Sequence, residues 1–372
     1  MKVDKTKWVK TTLGEVCDLY QPKTIAVKNL SLKGKYPVYG ANGVIGRYDE
    51  FNHEQAEVLI GCRGTCGVVN ISKPYSWING NAMVVHPKKD EIFDREFLGH
   101  LAAAIDYSKV ITGIAQPQIT RANLKNVAIL IPSLFEQQNI ASELDVVQRM
   151  IDGYKAQIKD LDELAKSIFF DMFGDPISNP KEWKTDKLVN LVSKDCPITY
   201  GIVQPGEDVC NGIPIVRPVD LLSTFISKCS LKKVSKDISD TYKRTILKGD
   251  EVLMCVRGTT GIVSLARNDL AGCNVTRGIV PLSFDKISRW FAYWCIKSPQ
   301  MNFIIQKYTK GATLKQINIK DVRNLVFPVP PLSLQQRFAA KIEAIEKQKE
   351  LLRQQLSDAE TLMAERMQYY FS

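Results

Sequence analysis

The chain has 372 residues, 45% of them hydrophobic and 24% charged, ordinary globular values that exclude disordered and collagen-like classes. At roughly 100–200 residues per domain the length predicts two or three domains, and no apolar run approaches the roughly 18 residues of a membrane span. Lys and Arg total 50 against 40 Asp and Glu, a net charge of +10. The nine cysteines are irregularly spaced and read as reduced thiols of a cytoplasmic protein rather than as zinc ligands.

The start, MKVDKTKWVKTTLGEV, is basic and lacks the apolar stretch of a signal peptide. AEVLIGCRGTCGVVNI reads as strand, turn, strand, with Arg63, Gly64 and Thr65 in the turn. NAMVVHP is a further strand and FDREFLGHLAAAI a helix. After Pro132, the residues Leu144, Val147, Ile151, Tyr154, Ile158, Leu161, Ala165 and Ile168 step alternately by three and four. That is an apolar seam at heptad spacing, and it predicts a long coiled-coil helix. Gly174, Pro176 and Pro180 stop it.

A second block then opens at Trp183. RGIVPLSF predicts a strand, and ISRWFAYWCIKSPQMNFIIQK predicts buried or amphipathic helix in which Trp290 and Trp294 read as core. Past Pro330 and Pro331 the seam Ile342, Ile345, Lys349, Leu352, Leu356, Ala359, Met363 and Arg366 predicts a second long helix, with two polar residues in apolar slots. At 1.5 Å per residue each helix is roughly 50 Å long, too long to wrap a domain of this size. The stripe of one helix is the available partner for the other, which predicts an antiparallel pair.

The two blocks repeat one plan. VLIGCRGTCGVV at 58–69 matches VLMCVRGTTGIV at 252–263, so that Arg63, Gly64, Thr65 and Gly67 fall on Arg257, Gly258, Thr259 and Gly261. GIAQPQITRANLKNVAILIPSLFEQQ at 113–138 matches GATLKQINIKDVRNLVFPVPPLSLQQ at 311–336, which pairs Gln118 with Gln316, Ile119 with Ile317, and Gln137 with Gln335. The second copy holds about 19 extra residues between its tryptophan and its RGT turn. Matching blocks with differing stretches between them describe a shared scaffold that carries two different surfaces.

The divisions are therefore 1–133, 134–173, 174–330 and 331–372. They hold 17 basic and 12 acidic, 4 and 8, 23 and 14, and 6 and 6 residues respectively. The positive surplus sits in the two globular blocks. Two basic bodies suit two contacts with a polyanion, although surplus charge also serves solubility.

No catalytic motif stands out. There is no GxxxxGK[ST] loop and no strand-coupled GxGxxG, and GDPI and SNPK do not match the N/D-P-P-Y/F tetrapeptide of adenine methyltransferases. Arg63 and Arg257 sit beside glycines, an arrangement that suits close approach to phosphate or bidentate reading of guanine, or equally a structural salt bridge. Asn81 and Asn274 lie a similar distance downstream of those turns. Each suits bidentate contact with adenine or stabilisation of a turn. Gln118 and Gln316 suit base contact or, because both copies share them, the fold itself.

Together the duplicated tryptophan starts, the paired RGTxG turns, GIAQPQI with GATLKQI, and the IPSLFEQQ and VPPLSLQQ helix entries resemble the specificity subunit of type I restriction-modification enzymes. The resemblance covers nearly the whole chain. It implies an α+β fold, with two similar β-rich α/β target recognition domains separated by a long antiparallel two-helix coiled coil. Each domain would read one half of a bipartite site in double-stranded DNA, with the coil fixing the gap. Two methyltransferase subunits and the restriction-translocase subunits would assemble on this scaffold. The chain would be non-catalytic, and S-adenosylmethionine, ATP and Mg would belong to those partners.

DNA reading calls for Lys and Arg at phosphates and for Arg, Asn, Gln or aromatic residues at base edges. The divergent stretch of the first domain offers Lys33, Lys35, Tyr39, Asn42 and Arg47. The second offers Tyr200, Arg217, Lys232, Lys233 and Arg244. Two other readings stand beside this one: an interaction scaffold without nucleic acid, and a nuclease or methyltransferase with an unrecognised site.

Overall fold

A computed structural model describes residues 4–31, 33–89, 91–113, 115–311 and 314–372. The chain forms two compact units, Met1–Ala156 with Leu352–Ser372, and Gln157–Leu351. Each long helix, Leu134–Phe173 and Leu332–Phe371, contributes residues to both.

In the first unit the strand Val58–Gly61 is buried at every position. It pairs antiparallel with Val69–Ile71 on one side and Ala82–Pro87 on the other, and Cys17–Tyr20 extends the sheet beyond Ala82–Pro87. A second sheet orders Gly43–Tyr48, Tyr36–Gly40 and Trp77–Ile78, with the last strand parallel to its neighbour. The Asp94 side chain caps the helix Arg95–Ala104 by accepting from the Phe97 amide. A Cβ at Gly99 would lie 2.7 Å from the Ile71 side chain, so glycine lets this helix approach the sheet closely. Phe97, Leu98 and Leu101 then close a core with Ile60, Met83 and Val85.

The second unit repeats this plan. Val252–Cys255 lies between Val263–Leu265 and Ile279–Leu282. Ile213–Val216 pairs antiparallel with Lys232–Val234 and parallel with Asn274–Val275. The segment that opens at ISRW makes two helices, Arg289–Lys297 and Pro299–Tyr308. The break is local chemistry. Pro299 has no N–H to donate to the preceding turn, and the Ser298 hydroxyl accepts from the Met301 amide and starts a new helix. Trp290 and Trp294 are both core residues.

The matched Gln-Gln blocks begin the long helices, and their first glutamine is fully buried in each copy. The Gln137 carboxamide oxygen accepts from the Asp94 amide at 2.9 Å while its nitrogen donates to the Ile92 and Pro132 carbonyls at 2.8 and 3.0 Å. Gln335 accepts from the Ser288 amide at 2.8 Å and donates to the Pro330 carbonyl at 2.7 Å. Each glutamine ties the entry of a long helix to the start of the domain's own helix. Gln335→Ala strips partners from the buried Pro330 carbonyl and the half-buried Ser288 amide, where a fully buried group costs about 1–3 kcal/mol. A loss of about 2–4 kcal/mol in the urea unfolding of the second unit is expected.

The two long helices run antiparallel within each unit. In the first, Val147, Ile151 and Ala359 are packed with Tyr154, Leu356 and Met363. In the second, Phe169 and Phe173 meet Phe338 at ring-centroid distances of 5.7 and 5.2 Å. Both polar seam residues are paired. Arg366 Nε lies 3.1 Å from Glu143. Lys349, 1% exposed, donates to Asp162 at 2.6 Å and to Glu346 at 2.7 Å.

Six of the nine cysteines are buried, and burial pushes the Cys17 thiol up to about 12. Among the described residues no group of three or more His, Cys, Asp or Glu is arranged to hold a metal, and no helix is long and apolar enough to cross a membrane.

Candidate nucleic-acid interface

The RGT turns are built by backbone geometry. Gly64 and Gly67 have φ of 78° and 86°, and Gly258 and Gly261 have 88° and 89°, a region that favours glycine. A Cβ built at Gly64 or Gly258 meets nothing within 4 Å, so each turn faces open space. Behind the turn lies the second matched block. Arg63 bridges antiparallel to Gln118, and Arg257 to Gln316. The Ile119 amide donates to the Cys62 carbonyl at 3.0 Å, and the Ile317 amide to the Val256 carbonyl, also at 3.0 Å. The two sequence blocks that match between copies are therefore hydrogen-bonded to each other in both.

Arg63 and Gln118 are exposed. Among the described residues no carboxylate lies within ion-pair distance of Arg63, Arg257, Arg244 or Arg277, and the buried Nε of Arg257 has no hydrogen-bond partner. These guanidiniums are not engaged with the fold's own carboxylates.

The other candidates divide by what holds them. Lys33, Lys35, Asn42, Asn81, Lys232 and Arg244 are exposed. The Tyr200 hydroxyl accepts from Gln316 Nε2 at 3.1 Å. Lys233 Nζ donates to the Cys210 carbonyl at 2.9 Å.

Two expectations are corrected, Tyr39 and Asn274. Tyr39 is 6% exposed, packs with Leu59 and Ile78, and accepts from the Lys73 amide, so it is a core residue. Asn274 is fully buried, and its amide is consumed by Thr245, Ser239 and Tyr242. Neither side chain reaches DNA without unfolding. Arg217 grips Asp220 through two nitrogens at 3.1 and 2.8 Å, and that carboxylate raises its pKa further. Arg47 donates to the Gly34 and Lys35 carbonyls and holds the loop before the neighbouring strand Tyr36–Gly40.

Asn274 is also not the counterpart of Asn81. The parallel strand Asn274–Val275 stands where Trp77–Ile78 stands in the first domain. The Val256 amide donates to Gly278 as the Cys62 amide donates to Asn81. Gly80 and Asn81 therefore correspond to Arg277 and Gly278. Sequence reasoning missed Arg277, which lies 6.0 Å from the Tyr200 ring centroid. Pairing the strands instead of the asparagines finds it.

Two β-rich domains with matching turns, joined to two long helices, define the class of protein. Residues 5–162 and 180–361 match the family described as the type I restriction modification DNA specificity domain. The chain belongs to that family and is a specificity subunit of the type I restriction-modification kind. It is similar to the type I restriction enzyme EcoBI specificity subunit of Escherichia coli, 23% identical over 352 residues that cover 87% of this chain and 70% of that protein. The type I restriction enzyme MjaIX specificity subunit of Methanocaldococcus jannaschii is 25% identical over 323 residues, covering 77% and 70%. In fold it resembles the solved S subunit of a type I restriction-modification system from M. genitalium, with a TM-score of 0.67, 16% identity, and coverage of 100% of this chain and 98% of that one.

Proposed function

We infer that each domain reads one half of a bipartite DNA site, and that methyltransferase and restriction subunits assemble on this chain in the cytoplasm. The observation that carries the reading is the duplicated RGT and Gln-Ile frame, which supports different surfaces and, in both copies, an arginine with no carboxylate partner among the described residues. In this reading the chain itself is non-catalytic. S-adenosylmethionine, ATP and Mg act in the partner subunits, and the exposed lysines Lys33, Lys35 and Lys232 meet phosphates.

Arg63→Ala tests the reading in one domain. Loss of a bidentate contact with guanine costs about 1–3 kcal/mol and relaxes sequence choice at one position of the first half-site only. Loss of a phosphate contact weakens binding to all sequences alike and reduces the salt slope by about 1. DNA titrations at several salt concentrations separate the two. Binding that is indifferent to both DNA and salt would favour the interaction scaffold. Cleavage or methylation by the purified chain alone would contradict the non-catalytic reading.

A further inference from the structure

Gly80–Asn81 in the first domain and Arg277–Gly278 in the second occupy the same two-residue step beside the RGT turn. Each step has room for only one side chain. In the first domain a Cβ at Gly80 would lie 2.7 Å from the Pro22 carbonyl oxygen and 2.8 Å from Thr24 Oγ1, which leaves position 81 to carry the side chain. In the second domain a Cβ at Gly278 would lie 2.5 Å from Pro218 Cγ, which leaves position 277 to carry it. The shared frame thus presents an exposed asparagine from the second position of the step in one copy and an arginine from the first position in the other.

The setting of Arg277 is built. Its amide donates to the Ile202 carbonyl at 2.7 Å, which fixes the backbone. Its guanidinium carbon stands 6.0 Å from the Tyr200 ring centroid, and the Tyr200 hydroxyl is held by Gln316, whose backbone bridges Arg257. A guanidinium near an aromatic face, with no carboxylate partner among the described residues, can offer its planar fork to an incoming acceptor pair. The fork also suits phosphate oxygens, and the variants below separate the two. The planar fork matches the O6 and N7 acceptors of guanine, whereas the asparagine amide matches N6 and N7 of adenine.

We propose that this two-residue step is a specificity-determining pair, in which Arg277 reads a guanine in the half-site of the second domain and Asn81 an adenine in that of the first. The proposal rests on the reading that each domain recognises one half-site. The test is a map of methylated sites made by the full chain assembled with its methyltransferase subunit, for wild type, R277A, R277K and N81A. In R277A the preference for guanine at one position of one half-site falls about 10- to 100-fold, and the other half-site is unchanged. R277K keeps the charge and does not restore the preference, because an ammonium lacks the planar fork. N81A relaxes an adenine position in the opposite half-site. If R277A does not fold, R277K carries the test alone. An unaltered motif in the variants overturns the proposal. So does a uniform loss of occupancy in R277A that R277K repairs, which would mark a phosphate contact. A wild-type map with no two-part motif overturns the half-site reading itself, and the proposal with it.

Discussion

Exchanging residues 15–112 for the matching segment of a relative changes one half of the recognised DNA site and leaves the other half as it was. The segment holds the RGT turn, the Gly80–Asn81 step and the divergent stretch 33–47. It also carries Ile92 and Asp94, whose backbone groups bond to Gln137, and His100, which meets Asp145 at 2.8 Å, so the donor must supply matching groups at those positions. The strand Val9–Thr12 pairs with Ala128–Ile131, and Gln137 clamps Pro132, so both stay with the host. A further junction is at position 62, where the transplanted residue must accept from the host Ile119 amide. A donor that carries its own RGT turn meets that need. Each altered base position costs about 1–3 kcal/mol, so a changed half-site abolishes methylation at the old sites and creates a new set. A map in which both halves change together would contradict independent reading by the two domains.

Lys349→Ala is expected to destabilise the helix pair of the second unit by about 3–5 kcal/mol, the usual cost of breaking a buried ion pair by removing one partner. Lys349 is 1% exposed and Glu346 5% exposed, and Glu346 Oε2 already lacks a hydrogen-bond partner. Without the ammonium, the hydrogen bond left to Glu346 among the described residues is a 3.4 Å contact from the Thr224 hydroxyl. The loss therefore reflects a stranded carboxylate as much as lost packing. Adding Glu346→Gln to Lys349→Met is expected to recover most of it, because no buried charge then stands alone. Urea unfolding of the single and double variants decides this. A double variant as unstable as Lys349→Ala would show that the methylene stem matters and the charge does not.

The sequence carried the repeat, the heptad seams and the helix stops because each rests on local spacing. It did not carry the role of Lys349, whose partner Asp162 lies 187 residues away. A lysine in an apolar slot looks like a defect until the opposing helix is in place. Gln137 and Gln335 were visible as a matched pair, but their work as buried clamps depends on backbone groups about 45 residues upstream. At the candidate interface, Arg63 was legible because glycines flank it. Tyr39 was misplaced because its strand does not alternate: Val38 and Tyr39 are both buried, and the pairing register shifts between them. Arg277 stayed hidden because linear spacing aligns two asparagines, while the parallel strand pairing aligns Asn274 with Trp77.

The central claim is that this chain selects the DNA sequence on which its partners act. Mapping N6-methyladenine across the genome of cells with and without the chain tests it most directly. The account predicts a set of methylated adenines in a two-part motif with an undefined gap, present with the chain and absent without it, while the methyltransferase subunit is expressed in both. The same methylated motif in cells that lack the chain would contradict it.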